Sequence, residues 1–315
     1  MATVPSITAP APAPAGAGAA SSGTVLIFGG SGRCGQLLCR EAASRGLRVL
    51  APTHADCPLE DAAAVSDLVL GSGAQAVFNC AAVSGLEACA EDALYAHLVN
   101  AVAPAAMALA CRHTGARFVH LSTDYVLDGR RNGKKAEETR CRPGCVYAET
   151  KREGELQVAE AYAESVIARV SWVCGNPDKP SFIESTLRRA AAGEKLAAVA
   201  DKYSMPTDAA DIARAVLALA ASPYSGIIHL CSSGQPMSWW DCAAAALAES
   251  ARSGCLPAGL LPEKQELDAV PFFREKRPRY TAMDNARLLA LGIAMPTAHE
   301  TVAAVTRRFW AAKNA

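Results

Sequence analysis

The sequence predicts an α/β fold built on a doubly wound parallel sheet, and three observations lead to this prediction. Short apolar runs alternate with helical stretches along the first half of the chain. The first run ends in a glycine-rich turn, Gly29-Gly-Ser-Gly32-Arg-Cys-Gly35, and a helical pattern follows that turn directly. Strands that are buried on both faces and separated by helices form parallel sheets, in which ligands lie at the carboxyl ends of the strands. We therefore expect a Rossmann-type sheet with a binding crevice at that edge.

Length and charge limit the classes of protein and partner. The 315 residues suffice for one large domain or two smaller ones, and 31 basic residues balance 31 acidic ones. A chain without net charge or a long basic run is not expected to bind nucleic acid. No apolar run approaches the roughly eighteen residues of a membrane span without interruption by charge, Gly or Pro, and no signal peptide is recognisable. We expect a cytoplasmic protein without a membrane segment.

The cysteine pattern favours a reducing compartment. The chain has 12 cysteines, many of them inside apolar segments, and no Cys-x-x-Cys pair. Cys141 and Cys145 have no nearby His that would complete a zinc site, so neither a metal site nor a disulfide framework is expected. The cysteines are interpreted as small, buried apolar residues.

The chain divides into three parts. Residues 1–23 are rich in Ala, Pro, Gly, Ser and Thr, carry no charged side chain and are expected to form a disordered tail. Residues 24–172 form the predicted Rossmann domain. Residues 173–315 alternate less regularly, with Pro-containing loops, and are expected to form mainly a smaller substrate-binding lobe. The helix predicted at 209–221 is expected to return to the first domain.

The first predicted unit is a strand, a glycine turn, a helix and a second strand. The strand Thr24–Phe28 runs into the turn, and Gly46 ends the helix. Gly29 permits a tight turn, Gly32 lets the backbone approach a pyrophosphate, and Gly35 lets the helix pack closely against the strand. The helix N-terminus would face the phosphates. The candidate nucleotide-binding residues of this turn are Gly29, Ser31, Gly32, Arg33, Cys34 and Gly35.

The second strand, 47–51, leaves the choice of cofactor open. It leads into Pro52-Thr53-His54, where the carboxylate that would hold a ribose 2′-hydroxyl of NAD is absent. Thr53 is a further cofactor-binding candidate. Arg33 would meet the 2′-phosphate of NADP or would be an exposed loop arginine, and the sequence allows both interpretations.

Two later strands are expected to end at the same edge of the sheet. The run 76–82 closes with three small residues that leave room for a flat ring, Cys80, Ala81 and Ala82. A helix over 95–109 carries Asn100, which is a cofactor-binding candidate like the three small residues, and the strand after it ends at Thr123. Because the carboxyl ends of parallel strands share one edge, Thr123 is expected to face the same crevice as the glycines.

Tyr147 and Lys151 lie four residues apart at the start of a predicted helix that continues to about residue 163. This spacing places both side chains on one helical face. A neighbouring ammonium group lowers the pKa of a phenol by favouring the phenolate, so that Tyr147 could donate a proton near neutral pH. Tyr-x-x-x-Lys also occurs by chance in many helices. The glycine turn and the strand-end hydroxyl of Thr123 favour a proton-transfer unit of Thr123, Tyr147 and Lys151.

Taken together, these blocks give the chain a family resemblance. From about residue 25 onward it resembles the extended short-chain dehydrogenases/reductases, and among them most closely the dTDP-4-dehydrorhamnose reductases. The blocks that carry the resemblance, besides the glycine turn and Tyr-x-x-x-Lys, are residues 79–82, 122–129, 169–172 and 201–207.

The resemblance implies that a reduced nicotinamide, NADPH or alternatively NADH, delivers a hydride to the C4 ketone of a nucleotide-linked 4-keto-6-deoxy sugar. Tyr147 would protonate the nascent alkoxide, Lys151 would lower the pKa of Tyr147 and hold the nicotinamide ribose, and Thr123 would hydrogen-bond the carbonyl oxygen. Some relatives form dimers, so a homodimer is an expectation, whereas the need for Mg²⁺ stays open. The residues that would line the sugar pocket are Asp124, Tyr125 and Trp172.

Several positions depart from the family pattern, and three of them limit which contacts the resemblance implies. Pro58 stands where the family carries an Asp near the adenine, so the adenine contact is not carried over. Ser181 and Ser204 replace residues that are common at the nucleotide end of the substrate, so that contact is not carried over either.

Two alternative functions stay open. A sugar-nucleotide dehydratase of this superfamily uses a Glu directly after Thr-Asp, whereas Tyr125 follows Asp124 here, which disfavours dehydration but not epimerisation. A non-catalytic NADP-binding regulatory subunit, similar to that of methionine adenosyltransferase, has a closely similar fold and motifs. The complete set of Thr123, Tyr147 and Lys151 favours an enzyme.

Overall fold

The computed structural model describes residues 23–314, so the predicted disordered tail lies outside the described residues except for Gly23. The strands, in chain order, are β1 Thr24–Phe28, β2 Arg48–Leu50, β3 Ala76–Asn79, β4 Arg117–Thr123, β5 Val166–Val170, β6 Val173–Cys174, β7 Ala197–Val199, β8 Tyr203–Ser204, β9 Thr207–Asp208, β10 Gly226–Leu230, β11 Met237–Ser238 and β12 Glu263–Gln265. The α-helices are α1 Arg33–Ser44, α2 Ala62–Gly71, α3 Leu86–Glu91, α4 Ala93–His97, α5 Ala103–Thr114, α6 Val146–Ala161, α7 Phe182–Ala191, α8 Ala209–Ala221, α9 Trp239–Arg252, α10 Ala286–Ala290 and α11 Ala298–Asn314.

A parallel sheet with the strand order β2-β1-β3-β4-β5-β10 forms the centre of the protein. Its strands are covered on both faces. Ile27 of β1 belongs to an apolar cluster with α1 and α8, whereas its neighbour Leu26 belongs to a cluster with α2 and α5. Side chains alternate between the faces of a strand, so a run of apolar residues serves both clusters. The predicted doubly wound α/β fold is confirmed.

The direction of chain winding reverses between β1 and β3. β2 lies on one side of β1, whereas β3 and β4 lie on the other. In sheets of this kind, a crevice opens at the carboxyl ends of the strands where the order reverses. Gly29 follows β1 directly and Cys80 follows β3 directly, so both border this crevice.

One strand that the sequence pattern assigned to the second lobe lies in the central sheet. β10 pairs in parallel with β5, from Gly226 opposite Val166 to Leu230 opposite Val170. The preceding helix α8 packs against α1. A helix that crosses over a parallel sheet returns the chain to that sheet, which explains the position of β10. Because Pro-containing loops flank α8 and β10, the sequence pattern did not show that this helix and strand continue the alternation of the first domain.

The helix predicted over 95–109 is part of a longer helical stretch, Ala93–Thr114, in which a π-helical turn, Leu98–Val102, joins α4 to α5. By length and composition alone, this helical stretch could cross a membrane. Pro104 seemed to interrupt the run, but it lies in the first turn of α5, where a missing N–H costs little. In its most apolar window, 56% is buried inside the protein, as in a core helix.

The later part of the chain adds a third apolar cluster around α7, α9 and α11, which includes Leu187, Ala246 and Val305. Ser181, one of the departures from the family pattern, is the N-cap of α7. Its backbone N–H donates to Glu184 Oε2 at 3.0 Å, within a capping box that satisfies the first donors of the helix. Ser181 therefore has a structural role at the start of α7.

Candidate functional site

The glycine turn requires glycine at two of its positions. Gly29 has a φ of 75°, in the left-handed region, and its carbonyl accepts the N–H of Gly32 at 2.9 Å. A Cβ on Gly29 would lie 2.6 Å from the backbone nitrogen of Ala81, and a Cβ on Gly35 would overlap the Gly29 carbonyl oxygen. Gly29 thus permits the turn, and Gly35 permits close packing of α1 against the end of β1, as the spacing predicted.

The N-terminus of α1 offers free donors toward the crevice. Gly32 is the N-cap and provides no side-chain acceptor, and no acidic residue occupies the first turn. A Cβ on Gly32 would meet only the Gly29 carbonyl oxygen, at 3.1 Å, so the space before the helix is otherwise open. Ser31 is exposed at the tip of the turn. Unpaired amides and the helix dipole favour an anion, so these residues fit the pyrophosphate of a dinucleotide.

Gly35→Ala is expected to destabilise the protein by about 1–3 kcal/mol and to abolish dinucleotide binding, because the added methyl group forces α1 away from the turn. Denaturant unfolding and fluorescence titration with NADPH measure both effects. Gly71→Ala at the end of α2 is the matched control, since a Cβ there meets no atom within 4 Å. Equal NADPH affinity of the Gly35 variant and wild type would contradict this assignment of the turn.

Arg33 makes contacts that neither sequence interpretation included. Its Nε donates to the Lys179 carbonyl at 2.9 Å, and its Nη2 donates to the Pro180 carbonyl at 3.1 Å. In return, Asn176 Nδ2 donates to the Arg33 carbonyl at 3.0 Å. Arg33 therefore ties the glycine turn to the segment that precedes α7.

A carboxylate does lie at the end of β2. The backbone N–H and the hydroxyl of Thr53 donate to Asp56 Oδ2 at 2.9 Å and 2.8 Å, and these hydrogen bonds lower the pKa of Asp56. The sequence analysis considered only residues 52–54, and Asp56 lies just beyond them. The chain turns back after the strand, which brings a residue three positions later to Thr53.

The small residues after β3 border the crevice, with Ala81 against Gly29 and Ala82 exposed. Burial raises the pKa of the Cys34 thiol to about 12 and that of Cys80 well above its usual value, so both thiols stay neutral. Thiols that stay neutral are poor nucleophiles.

Asn100 lies in the π-helical turn and is fully buried. Its Oδ1 accepts the Val83 N–H at 3.0 Å, and its Nδ2 donates to the Val83 carbonyl at 3.0 Å and to Thr150 Oγ1 at 3.1 Å. Both ends of the amide are bound to protein. Asn100 therefore fixes the segment after β3 against α6, and in this arrangement its amide groups are engaged within the protein.

The structure brings Thr123, Tyr147 and Lys151 together at the carboxyl edge of the sheet. Thr123 is the last residue of β4, and the other two lie one turn apart in α6. The Thr123 hydroxyl donates to Asp124 Oδ1 at 3.3 Å and lies close enough to Tyr147 to lower its pKa. Lys151 is 2% exposed and donates from Nζ to the Leu121 carbonyl at 2.7 Å.

The two titratable groups of this unit are shifted in different directions. Burial raises the pKa of Tyr147, although the Thr123 hydroxyl acts in the opposite direction. Burial lowers the pKa of Lys151 to about 8, although Glu155 and Cys80 act in the opposite direction. In the protein alone, the predicted lowering of the Tyr147 pKa by Lys151 is therefore not found, because burial dominates and Nζ bonds to Leu121 instead.

Asp124 and Tyr125 follow Thr123 in a short 3₁₀-helix. Asp124 is 3% exposed, burial raises its pKa, and its Oδ2 accepts the Ser171 hydroxyl at 2.8 Å. The Tyr125 ring packs edge-on against Tyr147 with the ring centroids 5.9 Å apart. Tyr125 is thus next to Tyr147, the proposed proton donor, whereas Asp124 is buried in the protein interior.

Trp172 lies in an aromatic cluster. Its ring centroid is 5.6 Å from Phe182 and 5.8 Å from Trp239. Its φ of 36° is rare for a residue with a side chain, and such strain persists where the surrounding structure enforces it. Phe273 packs edge-on against Trp239 and also lines the cavity described next, so this cluster adjoins that cavity.

A cavity of about 590 Å³ lies beside Tyr125 and Cys145, and its wall is rich in cations. Three acidic side chains face six basic ones, which are Arg130, Arg142, Arg274, Lys276, Arg277 and Arg279. The sequence showed four of these within 274–279, a local concentration in a chain without net charge, but no role was assigned to them. The residues fit an anionic ligand.

Lys202 is another residue whose role the sequence did not indicate. It is 2% exposed, and its Nζ donates to the Pro278 carbonyl at 2.7 Å and lies 4.8 Å from the centre of the Tyr125 ring. Burial lowers its pKa to about 8, although nearby Asp124 acts in the opposite direction. Lys202 therefore contacts both Tyr125 and Pro278, two residues that line the cavity.

The dinucleotide-type turn at the switch point and the strand-end Thr beside a Tyr-x-x-x-Lys helix define the class of the protein. It is an extended short-chain dehydrogenase/reductase, a class of NAD(P)-dependent oxidoreductases. The family described as "RmlD substrate binding domain" matches residues 23–310, and the chain belongs to this family.

Individual relatives agree with this assignment. The chain is 31% identical over 275 residues to the dTDP-4-dehydrorhamnose reductase of Mycolicibacterium smegmatis, which covers 85% of this chain and 80% of that protein. It is 33% identical over 226 residues to the spore coat polysaccharide biosynthesis protein SpsK of Bacillus subtilis, covering 72% and 79%. A crystal structure of a dTDP-4-dehydrorhamnose reductase from Clostridium acetobutylicum superposes with a TM-score of 0.83 at 26% identity, covering 91% of this chain and 99% of that one. The resemblance seen in the sequence blocks is confirmed.

Proposed function

We propose that the chain reduces the C4 ketone of a nucleotide-linked 4-keto-6-deoxy sugar, with a reduced nicotinamide as hydride donor. The observation that carries the proposal is the position of Thr123, Tyr147 and Lys151 between the glycine turn and the cation-lined cavity. Relatives named dTDP-4-dehydrorhamnose reductase in two bacteria support this substrate class. Tyr125 occupies the position where a dehydratase would need a carboxylate base, which supports reduction over dehydration.

NADPH is the proposed cofactor, and NADH is accepted as the alternative. The glycine turn and the N-terminus of α1 would hold the pyrophosphate, and Lys151 would hold the nicotinamide ribose. When bound, the reduced nicotinamide supplies the hydride. Asp56 gives the end of β2 a carboxylate, which suits the 2′-hydroxyl of NADH. Catalytic efficiencies with the two cofactors compare them directly, and a clear NADH preference would remove Arg33 from a role at a 2′-phosphate.

The remaining chemistry is a proton transfer carried out by this chain. Because burial raises its pKa, Tyr147 stays protonated near neutral pH and would donate its proton to the substrate oxygen. Thr123 would hydrogen-bond the same oxygen and so stabilise the charge that develops there. Lys151, when protonated, would stabilise the tyrosinate that remains. Asp124, Tyr125 and Trp172 would border the sugar.

The cavity is proposed to bind the diphosphate of the sugar nucleotide. Among the described residues, Arg142 and Lys276 are the cavity cations that have no carboxylate within ion-pair distance. By contrast, Arg277 pairs with Glu87 at 2.9 Å. Unpaired cations beside a cavity are free to bind phosphate oxygens.

Arg142→Gln and Lys276→Gln are each expected to raise KM for the sugar nucleotide about tenfold while kcat changes little, because a diphosphate contact binds ground state and transition state alike. Steady-state kinetics at saturating NADPH measure both constants. Lys195→Gln is the control, since Lys195 is exposed and does not line the cavity. A fall in kcat at constant KM would place these residues at the reacting centre instead.

The direct test mixes the purified protein with NADPH and dTDP-4-dehydrorhamnose and follows the absorbance of the reduced nicotinamide. Oxidation of the cofactor that depends on the sugar nucleotide is expected. If the protein binds NADPH but oxidises it with no 4-keto sugar nucleotide, the reductase proposal fails and the regulatory-subunit interpretation gains support.

A further inference from the structure

The amine of Lys151 is enclosed by protein groups. Its Nζ lies 2.7 Å from the Leu121 carbonyl oxygen and 3.2 Å from His120 Nε2, and His120 is fully buried. The titratable groups that face it are Cys80 from the end of β3, His120 from β4, and Tyr147 and Glu155 from α6. The negative charge of Glu155 is already balanced by Arg169, at 2.8 Å.

A chain of hydrogen bonds fixes which nitrogen of His120 carries the proton. The backbone N–H of Ala81 donates to Asn79 Oδ1 at 3.0 Å, so the amide nitrogen of Asn79 faces His120 Nδ1 at 3.1 Å. An amide nitrogen only donates, and therefore Nδ1 must accept. The neutral ring then carries its proton on Nε2, which faces Lys151.

An ammonium group has donors but no acceptor, so it forms no hydrogen bond with an Nε2–H. The neutral amine does accept that hydrogen, while it still donates to the Leu121 carbonyl. Protonation of Lys151 in the free protein therefore costs the His120 contact and leaves buried donors facing each other. Burial acts in the same sense, since it lowers the pKa of Lys151 to about 8 and that of His120 well below its usual range.

We propose that Asn79 and His120 are positioning residues that keep Lys151 of the free protein a proton acceptor in mildly alkaline solution, and that dinucleotide binding there is coupled to uptake of one proton at its Nζ. The inference rests on the proposed function, because it needs the nicotinamide ribose beside Lys151. A ribose hydroxyl accepts a hydrogen bond, whereas around Nζ the protein offers the Leu121 carbonyl and a donor from His120. The proton comes from solvent and converts the amine to the ammonium that later stabilises the tyrosinate.

The first test uses the free wild-type protein and needs no cofactor. Nitrogen-15 NMR of the histidine rings at about pH 9, where Lys151 is neutral, is expected to show His120 with a protonated Nε2 and an unprotonated Nδ1, and the His120→Gln variant identifies its signals among the six histidines. A proton on Nδ1 would overturn the proposal, whatever the catalytic activity of the protein.

The second test is calorimetry of NADPH binding at about pH 9, between the lowered value of about 8 and the ordinary 10.5 of Lys151. Titrations in buffers with different heats of ionisation give the number of protons taken up, which is expected to be close to one. Asn79→Asp is nearly isosteric, and its carboxylate accepts both from Ala81 and from His120 Nδ1–H. Nε2 then accepts from the ammonium, so uptake is expected to fall close to zero.

The outcomes separate this inference from the proposed function. NADPH binding without proton uptake by the wild type overturns the coupling but leaves a reductase in place. Proton uptake that persists unchanged in Asn79→Asp or in Lys151→Met shows that Asn79, His120 and Lys151 are not its source, and it overturns the proposal. Absence of any NADPH binding by the wild type contradicts the proposed function itself, while the NMR result on the free protein still decides the state of His120.

Discussion

Tyr147→Phe is expected to lower kcat for ketone reduction by about 100- to 10,000-fold, the range that a positioned general acid contributes. The variant keeps the ring that packs against Tyr125 but lacks the proton that the substrate oxygen needs. NADPH affinity and the free energy of unfolding are expected to change little. Stopped-flow kinetics with saturating NADPH and sugar nucleotide measure the chemical step, and calorimetry measures cofactor binding.

Tyr162→Phe supplies the control for this prediction, because the same hydroxyl group is removed at the C-cap of the same helix. The Tyr162 hydroxyl contacts Glu164 at the surface. The Tyr162→Phe variant is therefore expected to keep the kcat of the wild type. If the Tyr147 variant reduced the ketone at the wild-type rate, Tyr147 would not be the proton donor. If both variants lost activity equally, the loss would reflect damage to α6.

Most of the sheet could be predicted from local sequence. β1 is predicted with its observed bounds because an apolar, β-branched run ends at a glycine, and Gly29 and Gly35 follow from spacing alone. The neighbourhood of Thr123 and Lys151 was also predictable, since parallel strands end at one edge. These features depend on short-range pattern and on a general rule of sheet topology.

The remaining features depend on contacts between distant parts of the chain. Asp56 reaches Thr53 through a turn whose geometry no periodicity shows, and Arg33 meets carbonyl groups about 146 residues away. The direction of the Tyr147 pKa shift follows from burial, which a Tyr-x-x-x-Lys spacing does not reveal. His120 looked like one residue of a buried strand, although its hydrogen bonds reach two other elements.

Glu155→Gln is expected to lower the free energy of unfolding by about 3–5 kcal/mol, because it leaves the buried Arg169 guanidinium without its counter-charge. Glu155 Oε1 and Oε2 accept from Arg169 at 2.8 Å and 2.9 Å, and Ser122 adds a hydrogen bond at 2.7 Å. The variant has the same shape, so no cavity arises. Urea unfolding at neutral pH measures the loss, and Glu160→Gln on the exposed face of α6 is the control, expected within about 0.5 kcal/mol of wild type.

The same ion pair predicts how this difference depends on pH. Burial opposes ionisation of Glu155, but the hydrogen bonds and charge of Arg169 outweigh it, so its pKa is lowered from the ordinary 4.5. A group with a lowered pKa in the folded state stabilises fully above its unfolded pKa and loses this contribution as pH falls through the folded value. The gap between wild type and Glu155→Gln is therefore expected to be constant above about pH 5 and to close below pH 4.5. A gap that stays constant down to pH 3 would show that the negative charge of Glu155 does not cause the difference in stability, and it would contradict the explanation by the buried ion pair.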